Sequence, residues 1–125
     1  MARVNLDNVK TTDMRHAKGQ FFESATIIPA SGDALPDNAP PLIFWNPGGA
    51  VNIKMPTSNA ARQGLTFIMV NLSANTVTLQ TDGGAGFTAA IAIASTQMAV
   101  VVCTGSSTQA SGWRAMTAAG TQTSP

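Results

Sequence analysis

The sequence predicts an all-β protein: an antiparallel β-sandwich or jelly roll with a body of about seven strands and an extended N-terminal arm. Three observations predict this class. Short apolar or alternating runs recur at intervals of roughly 8–12 residues from Leu42 onward. Turn-forming glycine, proline and asparagine residues separate these runs, and no long segment has a helical period. At 125 residues, the chain is long enough to bury one hydrophobic core.

The first 41 residues (1–41) show no sustained periodicity and are predicted to form the arm. Four prolines between positions 29 and 41 exclude a long helix there. The apolar pairs Phe21–Phe22 and Ile27–Ile28 are costly to leave in water. We therefore expect the arm to dock, either on its own body or on a neighbouring subunit.

The body is predicted to span residues 42–117 and to be followed by a short polar tail at 118–125. Its predicted strands cover positions 42–45, 51–55, 65–72, 76–80, 87–93, 98–103 and 113–116. The third of these has apolar residues on both faces, which indicates a central position in a sheet. The three residues Ser73–Asn75 predict a hairpin between the third and fourth strands, with Asn75 in the left-handed conformation.

The segment between the second and third predicted strands contains short-turn signals. Thr57 or Ser58 is a suitable N-cap, and Gly64 is a suitable terminator. A single helical turn is expected there. A glycine-rich turn is likewise expected from Thr81 to Gly86.

Charge is scarce and unevenly distributed. Charged residues make up 10% of the chain, against roughly 25% in ordinary soluble domains. Nine of the thirteen charged residues lie in residues 1–41. Low charge of this kind fits either a neutral β-protein or a surface buried against copies and partners. The net charge of +1 gives no reason to expect nucleic acid or an anionic membrane as a partner.

No residue pattern indicates catalysis, a metal site or a cofactor, and the chain is expected to be no enzyme. His16 is the one histidine and has no candidate partner beside it. The loop at Asp82 lacks the lysine of a phosphate loop and the several carboxylates of a calcium site. Cys103 ends an apolar run and is expected to be a buried small hydrophobe. No signal segment and no membrane-length apolar run is present, which predicts a soluble product made in the cytoplasm.

The body contains two isolated arginines and two tryptophans, which have different expected roles. Arg62 and Arg114 are isolated charges, either of which could bind a carboxylate of a partner. Trp45 and Trp113 are expected in the core or at sheet ends rather than as platforms for sugars.

Five segments of the body resemble small β-modules of tailed-bacteriophage structural proteins. They are Val51–Pro56, Asn59–Phe67, Val70–Asn71, Asn75–Leu79 and Gly112–Trp113. In such modules, the one-letter motif LP is followed by spaced A, G and F residues. The motif TVTL, a glycine turn and a late GW come after them. The chain is most similar to capsid decoration proteins, also called cement proteins, and the similarity covers residues 42–117.

The resemblance implies a non-enzymatic virion protein that binds the outer surface of a bacteriophage capsid and stabilises it. The implied partner is the major capsid protein, and the implied oligomer is a homotrimer. An arm that reaches over neighbouring capsid subunits would add many weak contacts together. The alternative is a tail-fibre, baseplate or receptor-binding module in which the loop Ser106–Ser111 contacts glycan. The modules of that class often carry aspartate and glycine where this loop stands.

Two further alternatives remain open at this point, a small β-barrel enzyme and a bacterial protein with a phage-like fold. For the decoration protein, partner contacts are predicted in the arm from its amphipathic character, not from a family motif. The apolar anchors are Phe21, Phe22, Ile27 and Ile28, and the polar contacts are Arg3, Lys10 and Arg15.

Overall fold

The structure is a computed structural model that describes residues 22–118, which form two packed β-sheets. The strands are β1 (Ser24–Ile27), β2 (Leu42–Trp45), β3 (Val51–Lys54), β4 (Thr66–Asn71), β5 (Val77–Gln80), β6 (Gly86–Ile93), β7 (Met98–Cys103) and β8 (Trp113–Ala118). Sheet A has the order β1-β2-β4-β7-β8, and sheet B has the order β3-β5-β6. The predicted all-β sandwich is confirmed, and each of the seven predicted body strands is present. β4 lies at the centre of sheet A, as its two apolar faces predicted.

The core lies between the sheets and is made of the inward side chains of both. Its largest fully buried members are Trp45, Trp113 and Phe67. The rings of Phe67 and Trp113 stack at a centroid distance of 5.9 Å. Both tryptophans therefore belong to the core, as predicted.

Successive strands from β2 to β5 alternate between the two sheets, so that the chain winds as a flat coil. β2 and β4 lie in sheet A, and β3 and β5 lie in sheet B. Partners in consecutive turns are 26 positions apart in both sheets, as shown by Leu42 with Ile68 and Val51 with Val77. Each turn of the coil therefore places one strand in each layer.

This winding corrects the prediction that all strand pairs are antiparallel. The pairs β1–β2, β2–β4 and β3–β5 are parallel. The pairs β4–β7, β5–β6 and β7–β8 are antiparallel. Parallel neighbours need a long connection between them, and here the intervening strand in the opposite sheet provides it.

The predicted hairpin between β4 and β5 is also wrong. These two strands lie in different sheets, and the segment between them crosses the edge of the sandwich. Among the described non-glycine residues, Thr96 alone has a positive φ, so Asn75 is not in the left-handed conformation. The apolar alternation of β5 requires a buried face but does not specify which sheet supplies it.

The described part of the predicted arm forms the first turn of the coil. β1 pairs with β2 in sheet A, and the next segment, residues 31–35, lies along β3 in sheet B. Leu35 is 4% exposed and belongs to the core. Of the two docking modes left open by the sequence, residues 22–41 therefore show packing on their own body. Residues 1–21 lie outside the described part.

A buried asparagine ties the two sheets together where β4 ends. The side-chain Nδ2 of Asn71 donates to three carbonyl oxygens, those of Asn75 (2.6 Å), Ile93 (2.9 Å) and Ala94 (3.2 Å). Its Oδ1 accepts from the backbone N (2.9 Å) and Oγ (2.8 Å) of Ser73. Asn71 is fully buried, and these bonds satisfy backbone groups of the crossing segment and of the end of β6, of which the Ile93 carbonyl and the Ser73 N–H are themselves in buried bonds.

The segments around residues 58 and 109 are joined in a similar way. The Gln109 side chain accepts from the backbone N of Ser58 (2.7 Å) and donates to its carbonyl oxygen (2.8 Å). The predicted helical turn is a 3₁₀ turn at Ala60–Arg62, whose N-cap is Asn59 rather than Thr57 or Ser58. Ser58 is instead buried against the loop that precedes β8.

We expect Asn71→Ala to lower the free energy of unfolding by at least about 3 kcal/mol, because it removes five hydrogen bonds, including the buried ones to the Ile93 carbonyl and from the Ser73 N–H, and leaves a cavity. Asn75→Ala is the matched control. The Asn75 side chain makes one bond, from Nδ2 to the carbonyl oxygen of Pro47 (3.1 Å), and its loss should cost about 1 kcal/mol. Urea denaturation measures both values, and equal losses would contradict the role given to Asn71.

The two core tryptophans should respond differently to loss of the indole N–H. Trp113 Nε1 donates to the carbonyl oxygen of Pro56 (2.9 Å), whereas Trp45 Nε1 has no partner among the described residues. Trp113→Phe therefore leaves a buried carbonyl unpaired, and Trp45→Phe removes an unpaired donor. We expect Trp113→Phe to be more destabilising by about 1–3 kcal/mol. A larger loss for Trp45→Phe in denaturant titrations would show this assignment to be wrong.

Candidate interaction surface

The outer side of sheet A is a continuous apolar surface. Its apolar outward side chains, here called the apolar face, are Leu42, Phe44, Ile68, Val70, Met98, Val100, Val102 and Met116, and the polar outward residues Ser24, Thr26, Thr66 and Arg114 lie around them. They come from four neighbouring strands, β2, β4, β7 and β8. The strand register places Leu42, Ile68, Val100 and Met116 side by side in one row. The next row contains Phe44, Val70 and Met98.

Exposure across the apolar face increases toward β8. The outward side chains of β2 and β4 are half-buried, because large neighbours shield one another. In β7, Met98 is 43% exposed and Val100 is 41% exposed. Met116 of β8 is 81% exposed. An open cavity of about 150 Å³ lies beside it, lined in part by Val102 and Arg114.

The outer side of sheet B has the opposite character. Its outward residues on β3 and β5 are Asn52, Lys54, Thr78 and Gln80, which are polar or charged. The exposed residue beside Thr78 on β6 is Ala92. A sandwich with one face in water is expected to look like sheet B on that side. A contiguous apolar face is typical of a surface that binds a partner.

Three of the seven predicted anchors and contacts lie in the described residues, at the β1 end of sheet A. Phe22 is 48% exposed and Ile28 is 76% exposed, so both can contact a partner. Ile27 is half-buried and packs against the core, which commits it to its own chain. The other four, Phe21, Arg3, Lys10 and Arg15, lie outside the described residues, as does His16.

The two isolated arginines have different surroundings. Arg62 forms an ion pair with Asp37 and also donates from Nη1 to the carbonyl oxygen of Thr57 (2.9 Å). It thereby fixes the first turn of the coil to the 3₁₀ turn. Arg114 is exposed at the rim of the apolar face, where a partner carboxylate could reach it.

Other side chains singled out by the sequence have structural roles. Cys103 is buried and lies 3.4 Å from Ser58 Oγ, as predicted for a small core residue. The carboxylate of Asp82 accepts from Thr57 Oγ1 (2.7 Å), which ties the glycine-rich turn to the preceding segment. Within residues 22–118, no group of three or more metal-ligating side chains comes together.

The loop assigned to glycan contact in the alternative function is held largely by its own hydrogen bonds. Thr104 Oγ1 donates to the carbonyl oxygen of Ser111 (2.8 Å), and the hydroxyls of Ser106 and Ser111 lie 3.3 Å apart. The backbone N of Thr108 donates to Ser106 Oγ (3.0 Å). Several of its hydroxyl groups thus serve to shape the loop.

An apolar cavity of about 180 Å³ opens between the first turn of the coil and the core. Ile27, Leu35, Trp45 and Ile53 line it together with neighbouring prolines. It is the seam along which residues 22–41 pack on the sandwich. None of the helices in the part of the chain that the structure describes is long and apolar enough to cross a membrane.

The apolar face was not identified from the sequence. Apolar residues on both sides of β4 predict a central strand, and the run Met98–Cys103 predicts a strand that ends in a buried cysteine, and neither prediction implies an apolar outer face. The signal that could have identified it is the number of such two-sided strands, since a sandwich with only two layers has just one buried face in each sheet.

Searches against protein-family models, curated proteins and solved structures found no match to this chain.

Proposed function

We propose that this chain is a non-enzymatic structural protein that binds the outer surface of a bacteriophage capsid and stabilises it. The observation that carries the proposal is the contrast between the two outer faces of the sandwich. Sheet A presents apolar side chains outward on four strands, whereas sheet B presents mainly polar ones. The resemblance of the body to phage structural modules supplies the class of partner.

The apolar face suits attachment to a large protein surface. It is broad and built on hydrogen-bonded strands, so little conformational entropy is lost when it docks. Burial of apolar area stabilises a contact by about 25 cal/mol per Å² before these costs. A single contact of this kind contributes a modest free energy of binding. Because the contact would be repeated at every capsid subunit, the summed free energy would oppose expansion of the shell.

Two further exposed apolar residues belong to the first turn of the coil, at the opposite edge of sheet A from β8. Phe22 and Ile28 flank β1 and stand in water in the isolated chain. Their exposure supports the proposed contact of the arm with neighbouring capsid subunits. Residues 1–21 carry Arg3, Lys10 and Arg15, which would supply polar contacts around these anchors.

The apolar face can be tested with a charge at its centre. We expect Val70→Lys to weaken binding to expanded empty capsids by at least tenfold, because a partner would have to bury the ammonium group. Thr78→Lys is the matched control, since it places the same charge on a half-buried outward position of β5 in sheet B. Co-sedimentation with capsids measures both, after circular dichroism has shown that both variants fold. Unchanged saturation by Val70→Lys would exclude this face as the capsid contact.

The arm can be tested by truncation. Deletion of residues 1–20 is expected to abolish capsid binding while the sandwich still folds, because these residues precede every strand of the core. Removal of residues 119–125 serves as the control and should leave binding intact. A protein that lacks residues 1–20 and still saturates capsids would disprove the role of the arm.

A further inference from the structure

The sandwich has four sheet edges, and the edge at β3 is closed by the chain itself. The backbone N of Gly32 donates to the carbonyl oxygen of Asn52 (2.7 Å), and that of Leu35 donates to the carbonyl oxygen of Lys54 (2.9 Å). The backbone N of Lys54 donates in turn to the carbonyl oxygen of Asp33 (2.8 Å). An additional strand has no free groups to bind there.

Two further edges are short or irregular. β1 has four residues and is followed within two positions by Pro29, which cannot donate to a neighbouring strand. β6 pairs with β5 through a register shift at Leu79 and Gln80, and the 3₁₀ turn Gln109–Ser111 packs against it. Short strands and irregular pairing are common protections against edge association.

β8 has none of these protections. It pairs with β7 over six consecutive residues without a shift, and no described segment pairs with its other edge. Its sequence, Trp113–Ala118, contains no proline, glycine or lysine. Arg114 is its one charged residue, and Met116 is the most exposed large apolar side chain in the described residues. A regular edge with an apolar outward residue favours pairing with another strand.

We propose that β8 pairs with β8 of a second copy of this chain, antiparallel about a two-fold axis perpendicular to sheet A. An axis in this direction keeps the outer faces of both copies on the same side. Met116 then lies opposite Met116 of the partner subunit, and the two sheets join into one sheet of ten strands. The contact between the two β8 strands is here called the joint. Across the joint, the apolar row of one copy continues into the same row of the second copy, which again consists of Leu42, Ile68, Val100 and Met116.

The strand that pairs with β8 comes from a second copy of the chain, because β8 is complementary to itself in this register. Residues that face each other lie at equal distances from Met116, so Arg114 faces Ala118 of the partner subunit and no like charges meet. The small residues Ala115 and Thr117 also face each other and allow close approach. The contact covers Met116, the most exposed side chain of the apolar face, and the open cavity beside Met116 leaves room for the side chain of a partner.

A contact of this kind is closed by a two-fold axis and yields a dimer. The inference therefore replaces the homotrimer implied by the resemblance as the expected state in solution. It does not depend on capsid binding, which uses the centre of the apolar face.

The register can be tested by cross-linking of the full chain. In antiparallel pairs, the Cβ atoms of directly opposed residues are about 4.5–5.5 Å apart, near the spacing that a disulfide requires. We expect Met116→Cys to form a disulfide-linked dimer under mild oxidation. Thr26→Cys on β1 is the control and should stay monomeric on a non-reducing gel, as should the wild-type chain, whose Cys103 is buried. Equal cross-linking of Thr26→Cys and Met116→Cys, or none at position 116, would overturn the proposal.

Sedimentation equilibrium of the unlinked protein provides the second measurement. The wild-type chain should show twice the mass of one chain, and Met116→Lys should raise the dissociation constant of the dimer at least tenfold. Thr26→Lys, which adds the same charge at the other edge of sheet A, should leave it unchanged. A monomeric or trimeric wild-type chain, or a Met116→Lys variant that dimerises normally, would show that β8 is not the joint, whatever the outcome of capsid binding.

Discussion

The hydrogen bonds of the Asn71 amide are the interaction on which the rest of the structure depends. They occur where the chain leaves sheet A for sheet B, and they bind carbonyl groups of both the crossing segment and the end of β6. A buried crossing of this kind would otherwise leave backbone groups without partners. Asn71 satisfies them with one side chain, so the chain can change layers within the few residues between β4 and β5.

The alternation between layers has consequences for every edge and face. Because the strands from β2 to β5 alternate between the sheets, the neighbours β2–β4 and β3–β5 are parallel and come from successive turns of the coil. The first turn brings residues 31–35 onto β3 and closes that edge. The antiparallel strands β7 and β8 are added last and leave β8 at the open side of sheet A. Among residues 22–118, the edge without a paired neighbour and the exposed end of the apolar face thus coincide.

The sandwich is therefore mainly polar on the outer side of sheet B and apolar on the outer side of sheet A. Charged residues are few in the chain, and most of them lie toward the N-terminus. Of the two interpretations of low charge, burial against copies and partners fits the apolar face better than simple neutrality does. A contact at the centre of this face and a contact at the β8 edge use different residues. The two proposed contacts are therefore compatible with each other in one protein.

The sequence by itself determined the seven strands of the body, although not β1, because alternation, β-branched residues and turn residues act locally. It also determined that Trp45, Trp113 and Cys103 are buried. Strand direction, the crossing after Asn71 and the place of residues 22–41 were decided only by the tertiary structure. An apolar strand must bury one of its faces, but it can do so in either sheet of the sandwich. The burial is the same whether its neighbours in that sheet are parallel or antiparallel. The apolar face likewise became visible only once the second layer showed which side of each strand was already covered.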